Sequence, residues 1–302
     1  MLYKLFFLVS LMLGLFFAAC GGHHSHPPAA AIPEGAAVKY QCPMDCEKGK
    51  LYDAPGSCPV CKMDLQPVQA GAAAQTYKVT LNTEPAALAA GKPGKLRFTP
   101  GIVEKPGEAV PLDVVHEKKM HLIMVSDDLS WFDHQHPEYN GTGLDLAYTF
   151  PRGGNYFLFA DYKPAGSGHQ VEKIPLTVSG TPAAAVAYTA AKTTVQVDGF
   201  EVRLVPHGDK WVANTDLHIT GTVLKGGKPL DVNAFENYLG AKAHLVMVGL
   251  ADKGYEHLHP EVENGSFHLH TKFAQPGFYR MWLQFQTDGK VHTADFVLKV
   301  EG

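Results

Sequence analysis

The stretch Met120-His-Leu-Ile-Met-Val125 returns 123 residues later as Ala243-His-Leu-Val-Met-Val248. The same spacing relates His134-Gln-His-Pro137 to His257-Leu-His-Pro260. Both apolar runs have the length of a strand, and self-similarity at one fixed spacing is the sequence signature of a duplicated domain. The sequence therefore predicts two copies of one strand-rich domain.

Short β-rich runs joined by turn residues continue on both sides of these stretches, for example at Tyr77 to Leu81 and Tyr156 to Ala160. Thirty Gly and 21 Pro without a period suit many short strands better than long helices. About seven strands in each copy fit an immunoglobulin-like sandwich. We therefore predict an all-β chain with two tandem immunoglobulin-like β-sandwich domains, over residues 76–180 and 192–302, preceded by a small Cys-rich metal knuckle.

The charge balance and the motifs exclude several function classes. The 302 residues carry 26 Lys and Arg against 30 Asp and Glu, without a long run of one sign, so no nucleic-acid partner is expected. No H-E-x-x-H, phosphate loop, nucleophile motif or dinucleotide fingerprint occurs, so we expect no enzyme. Sixteen His and five Cys, both clustered, direct attention to metal ions instead.

The N-terminus has the pattern of an export signal. Lys4 precedes an apolar run from Leu5 to Phe17, which is shorter than the roughly 20 residues needed to span a bilayer. Ala18-Ala19-Cys20 then resembles the end of a bacterial lipoprotein signal, which implies that residues 1–20 are a signal peptide and that Cys20 is lipidated. Residues 21–39, rich in His, Ala and Pro, read as a flexible tether. The expected location is the cell envelope, with the chain anchored in a lipid membrane on its periplasmic or cell-surface face.

Four of the five cysteines lie within residues 40–69. They pair as C-x3-C and C-x2-C, and two such pairs can bring four thiolates to one tetrahedral ion. A segment this short has too little core to fold without a metal ion or disulfides. Each half also places a methionine two residues after a cysteine, and thioethers beside thiolates favour Cu(I). The predicted ligands are Cys42, Met44, Cys46, Cys58, Cys61 and Met63.

This knuckle resembles the short heavy-metal-binding domain at the front of copper-type transporting ATPases and of some periplasmic adaptors of heavy-metal efflux pumps. The matching residues are Tyr40, Cys42, Pro43, Met44, Gly56, Cys58, Pro59, Cys61, Met63, Leu65 and Pro67. Asp45, Cys46 and Lys62 depart from the family's His, Pro and Gly. The resemblance implies a heavy metal, with copper favoured and zinc the alternative, and a metal efflux or transport system as partner. A structural zinc knuckle and a pair of disulfides remain open.

Four histidine positions are shared by the two copies. In an extended segment the two histidines of H-x-H point to the same side with their Cα atoms about 6 to 7 Å apart, so both can reach one ion. The predicted metal ligands are His121, His134, His136 and His169 in the first copy and His244, His257, His259 and His292 in the second. The alternative is a duplicated turn whose histidines bond to the backbone, with His121 and His244 in the core. His268 and His270 occur in the second copy only.

Together these features predict an exported, lipid-anchored protein that binds copper or another soft heavy metal. Its expected role is sequestration, delivery or tolerance outside the cytoplasm. The alternative is a non-catalytic β-sandwich interaction lipoprotein whose knuckle is folded by structural zinc or by disulfides.

Overall fold

The structure is a computed structural model, and it describes residues 38–42, 50–59, 65–69 and 75–302. The predicted signal peptide, Cys20 and nearly all of the tether lie outside the described residues. Within the described part of the chain, no helix has the length and apolar character needed to cross a bilayer.

The knuckle is built on a three-stranded antiparallel sheet in the order β2-β1-β3. Its strands are β1 (Val38–Gln41), β2 (Leu51–Tyr52) and β3 (Gln66–Gln69). The knuckle contacts the first sandwich where the Gln41 side chain lies beside Gly168. A methyl group added at Gly168 would lie 2.6 Å from Gln41 Oε1. Glycine at position 168 leaves room for the Gln41 side chain at this contact.

The first copy is a sandwich of two four-stranded sheets, in the orders β4-β5-β9-β8 and β11-β10-β6-β7. With the strands lettered along the chain, these orders are A-B-E-D and G-F-C-C′, which is an immunoglobulin-like arrangement. The strands are β4 (Tyr77–Glu84), β5 (Gly94–Ile102), β6 (Met120–Ser126), β7 (Phe132–Gln135), β8 (Glu138–Tyr139), β9 (Leu144–Tyr148), β10 (Gly154–Tyr162) and β11 (Gln170–Val178).

The second copy repeats this arrangement with sheets in the orders β12-β13-β14-β19-β18 and β17-β16-β20-β21, and β15 pairs with β14. One short 3-10 helix, η1 (Val232–Ala234), follows β15. The strands are β12 (Thr194–Val197), β13 (Phe200–Pro206), β14 (Leu217–Lys225), β15 (Lys228–Pro229), β16 (Ala243–Gly249), β17 (Tyr255–Leu258), β18 (Glu261–Glu263), β19 (Ser266–Thr271), β20 (Gly277–Thr287) and β21 (Lys290–Val300).

Strand β6 explains why residues 122–125 of the duplicated stretch form an unbroken apolar run. Its Leu122 and Met124 lie in the core of the first sandwich, whereas Ile123 and Val125 point away from that core. These outward residues pack against Val246 of the second sandwich. A strand that is buried on both faces has no solvent side to carry polar residues. The run therefore encodes a contact between the copies as well as a core.

The two sandwiches face each other through these sheets with approximate two-fold symmetry. The ring of Phe132 stacks on Trp282 with centroids 4.6 Å apart. Tyr255, the equivalent of Phe132 in the second copy, stacks at the same distance on Phe159, the equivalent of Trp282. The interface is thus isologous within one chain, so any residue set near its axis is brought together with its own duplicate.

Candidate metal centre

Three histidines of the first sandwich point one nitrogen each at a common position beside this interface. The nitrogens are His121 Nδ1, from β6, His134 Nε2, from β7, and His136 Nε2, just after β7. Their separations are 3.1, 3.2 and 3.1 Å. An ion held at about 2.0 Å in tetrahedral geometry separates its ligand nitrogens by about 3.3 Å. The spacing of this first trio therefore suits a metal ion with one open coordination position.

The second sandwich repeats the arrangement with His244, His257 and His259. His244 Nδ1 lies 3.2 Å from His257 Nε2 and 2.9 Å from His259 Nε2. One ligand nitrogen from each of the three lies within 4.8 Å of the others. The duplicated motif thus produces a duplicated trio.

In four of these rings, the nitrogen that points away from the trio, here called the outer nitrogen, is hydrogen-bonded to an acceptor. The nitrogen that points into the trio is called the inner nitrogen. His121 Nε2 donates to the Val115 carbonyl at 3.1 Å, and His244 Nε2 donates to the Tyr238 carbonyl at 2.8 Å. His134 Nδ1 lies 2.8 Å from Gln284 Oε1, and His257 Nδ1 lies 3.1 Å from Asp161 Oδ2. Such partners fix the tautomer, so the inner nitrogens carry lone pairs.

The two trios adjoin each other and share their supporting residues. His257 belongs with His121 and His134 to a second set whose ligand nitrogens, one from each residue, lie within 4.8 Å of one another. The rings of His121 and His257 are 5.2 Å apart at their centroids. Gln284, from the second sandwich, supports a ligand of the first, and Asp161, from the first, supports a ligand of the second. The six histidines therefore form one paired centre.

Burial keeps these rings neutral. It is the largest cause that lowers the pKa of His121 to about 3, of His136 to about 4 and of His244 to about 2. Burial also holds the pKa values of His134 and His259 well below the ordinary range. A neutral imidazole is the form that binds a metal ion.

Asp161 breaks the symmetry of the centre, because the equivalent position of the second copy is Gln284. The carboxylate is 2% exposed. Burial alone would raise its pKa, but His169 and His257 lower the pKa to about 2. Its Oδ1 lies 3.0 Å from His169 Nδ1 without hydrogen-bond geometry. The second trio is therefore supported by a charge, whereas the first is supported by a neutral amide.

The expectation that His169 and His292 join the ligands is corrected by this geometry. His169 contacts Asp161 and so supports a ligand without belonging to a trio. His292 Nδ1 lies 2.8 Å from Asp198, and its ring packs on Phe200 and Phe285. On β21, His292 lies on the same face of the sheet as the core residues Ala294 and Phe296, whereas His244 points out of the opposite face of that sheet. Three of the four shared histidines converge within each sandwich, and the two trios then adjoin across the interface.

Sequence reasoning did not single out His116, whose ring stacks on His259 at 3.7 Å between centroids. It occupies a left-handed turn position with φ of 46°, and the equivalent residue, Leu239, has φ of 51°. Because the second copy carries leucine there, comparison of the copies gives no signal for His116. Two buried atoms, Nε2 of His116 and Nδ1 of His259, have no hydrogen-bond partner in the described structure.

The sequence comparisons agree with this duplicated architecture. The family described as "Domain of unknown function (DUF8832)" matches residues 72–180 and again residues 194–302, which together are more than half of the chain. The chain belongs to the DUF8832 family. The family described as "Heavy metal binding domain" matches residues 39–68. Each DUF8832 domain contributes one trio, and a heavy-metal-binding domain precedes the pair.

Two solved structures are similar to this chain with its paired DUF8832 domains. One is FdeC, a broadly conserved Escherichia coli adhesin, with 16% identity over 83% of this chain and 76% of that chain and a TM-score of 0.24. The other comprises the FN1–FN3 domains of chicken CNTN1, with 8% identity over 85% of this chain and 75% of that chain and a TM-score of 0.20. No curated protein sequence matches the chain.

The knuckle places Cys42 and Cys58 in its small core with Leu65. Cys46, Cys61, Met44 and Met63 lie outside the described residues. A cleft of about 910 Å³ is lined by Pro59 of the knuckle, by Asp161 and His169 of the first DUF8832 domain, and by His257 of the second. The cleft connects the knuckle surface with the residues that support the second trio.

Proposed function

We propose that this protein is an exported, lipid-anchored copper-binding protein that acts without catalysis in copper sequestration, delivery or tolerance outside the cytoplasm. The observation that carries the proposal is the pairing of inner nitrogens. His121 Nδ1 and His134 Nε2 are 3.1 Å apart, and hydrogen-bond acceptors occupy the outer nitrogens of both rings. Two lone pairs at this distance repel each other unless a cation lies between them.

The ligand set supports copper at the trios. Imidazole nitrogen suits copper, zinc, iron and nickel. Charge balance then favours a monovalent ion, because the carboxylate in contact with the ligand histidines is that of Asp161. Two divalent ions would leave about three uncompensated charges in a buried site, whereas two Cu(I) ions leave about one. We propose one Cu(I) in each trio.

The knuckle and the N-terminus support the role. A heavy-metal-binding domain beside a cleft that reaches His257 provides a thiolate site next to an imidazole centre. The apolar run before Cys20 supports export and anchoring at the cell envelope. A membrane-anchored copper binder in this position fits a metal efflux or transport system as partner.

The test is the copper content of the full chain, loaded anaerobically with Cu(I) and dialysed against a competing Cu(I) chelator. We expect three ions, two in the trios and one in the knuckle. Replacing His136 and His259 together with Gln should remove the two trio ions, whereas Cys58→Ser should remove the knuckle ion alone. A wild-type chain that retains one zinc ion and no copper would overturn the proposal in favour of an interaction protein with a structural knuckle.

A further inference from the structure

Four further histidines lie on the outward face of the larger sheet of the second sandwich. On β14, Leu217 and Ile219 point into the sandwich core, so His218 between them points outward. His218 pairs with His270 on β19 in the strand register. The four residues of this histidine face are His207, His218, His268 and His270.

These side chains contact one another. His218 Nε2 lies 2.9 Å from His268 Nδ1. The ring of His270 stacks on that of His218 with centroids 4.5 Å apart. The ring centroid of His207 lies 3.9 Å from that of His218. His207 is exposed and the other three are half-buried, so an ion can reach them from solvent.

The first sandwich carries an ion-pair network at the same positions. Residues 123 earlier in the chain are Glu84, Lys95, Asp145 and Ala147. Asp145 there accepts a hydrogen bond from Arg97 Nε at 2.7 Å and lies 3.1 Å from Lys95 Nζ. The fold therefore builds this face without histidine, and the histidine face belongs to the second copy alone.

We propose that the histidine face is a third kind of metal site, one that takes a divalent, imidazole-preferring ion of the Cu(II) class. His218 Nε2 and His268 Nδ1 are the principal ligands. When the ion binds, the proton shared between these two nitrogens moves through solvent to the other nitrogen of its own ring, so both imidazoles stay neutral and each offers one lone pair. His207 and His270 supply further imidazoles from the two sides of His218. Imidazole nitrogens suit copper, zinc, iron and nickel, and Cu(II) binds such ligands most tightly among the divalent ions of this series.

The site is separate from the paired centre. His244 points out of the second sandwich on β16, which belongs to the opposite sheet, so the core of the sandwich lies between the two sites. Two packed sheets are about 10 Å apart. The same cleft is nevertheless lined by both His257 and His270, which gives the histidine face access to solvent that also reaches the centre.

The test uses the full chain titrated with Cu(II) alone under air, with bound copper measured after gel filtration. The matched variant, His218→Lys with His268→Asp, restores the residues that the first sandwich carries at these positions. We expect it to bind one Cu(II) fewer than wild type and to keep the same circular dichroism spectrum. In a chain whose paired centre is disabled by His136→Gln and His259→Gln, the same ion should still bind, which separates this site from the proposed function.

A second measurement covers a variant that fails to fold. In wild type, substoichiometric Cu(II) should broaden the side-chain nitrogen signals of His218, His268 and His270 before those of other residues. Equal Cu(II) in wild type and the Lys/Asp variant, or sharp signals from these three rings in the presence of Cu(II), would show that the histidine face is a hydrogen-bonded surface cluster and not a metal site.

Discussion

Replacing Asp161 with Asn tests whether the paired centre is electrically asymmetric. Asn keeps the size of the side chain and an oxygen that can accept from His257 Nδ1, now 3.1 Å from the carboxylate, but removes the charge. From that distance and the width of an imidazole, the carboxylate lies about 7 Å from an ion bound at His257 Nε2. At an effective dielectric constant of about 20 this attraction is about 2.4 kcal/mol, or about 50-fold in Cu(I) affinity. That is within the 10- to 100-fold range typical of residues that support a metal ligand.

The assay isolates each trio before the substitution is made. In a chain with His121 and His136 replaced by Gln, only the second trio remains, and Asp161→Asn should weaken Cu(I) binding about 50-fold in a chelator competition. In the reciprocal chain, with His244 and His259 replaced by Gln, the effect should be smaller, because the first trio is supported by Gln284. An equal loss in both backgrounds, or no loss in the first, would refute the assignment of Asp161 to the second trio.

Three further predictions follow from the structure. The metal-free protein should lose stability as the pH falls from about 6.5 toward 4, because the unfolded chain then binds protons at histidines that stay neutral in the folded chain. The free energy of unfolding should fall by about 1.4 kcal/mol per pH unit for each ring whose pKa is lowered as those of His121 and His136 are. Urea midpoints at several pH values measure this, and a flat profile would contradict it. Trp282→Ala should cost about 3 to 5 kcal/mol in chemical denaturation and reduce Cu(I) retention, since the ring stacks on Phe132 across the sandwich interface, whereas the exposed Val205→Ala should change neither. Cys20→Ser should release the protein from the membrane fraction or block its processing, and tight membrane retention at the mature mass would exclude lipidation.

The duplicated motif predicts much of this arrangement from the sequence alone. An unbroken apolar run and an H-x-H-Pro turn at one spacing were enough to predict two sandwiches, and the structure confirms this all-β fold in its strand order. The same motif named the three histidines that meet in each trio. The shared spacing of the copies also predicted His292 as a ligand, and that residue packs near Asp198 instead, because identity between copies reports a shared fold as well as a shared site.

What the sequence did not indicate is how the copies meet. The contact of Asp161 with His257 joins residues 96 positions apart on different sandwiches, and no local pattern predicts it. His116 and His218 occur in one copy alone, so comparison of the copies passes over them. Outward apolar residues such as Ile123 were the available signal, since a strand with no polar face must be covered on both sides.

The connection between the sandwiches has a consequence for how the protein behaves when it is scarce. Residues 179–193 link β11 to β12, so a short covalent linker holds the two halves of the interface together. A linker of this kind gives each sandwich an effective concentration of the other on the order of millimolar, whatever the concentration of the protein. A single chain at very low abundance therefore keeps its six histidines assembled, whereas a two-subunit version of the same interface would come apart on dilution.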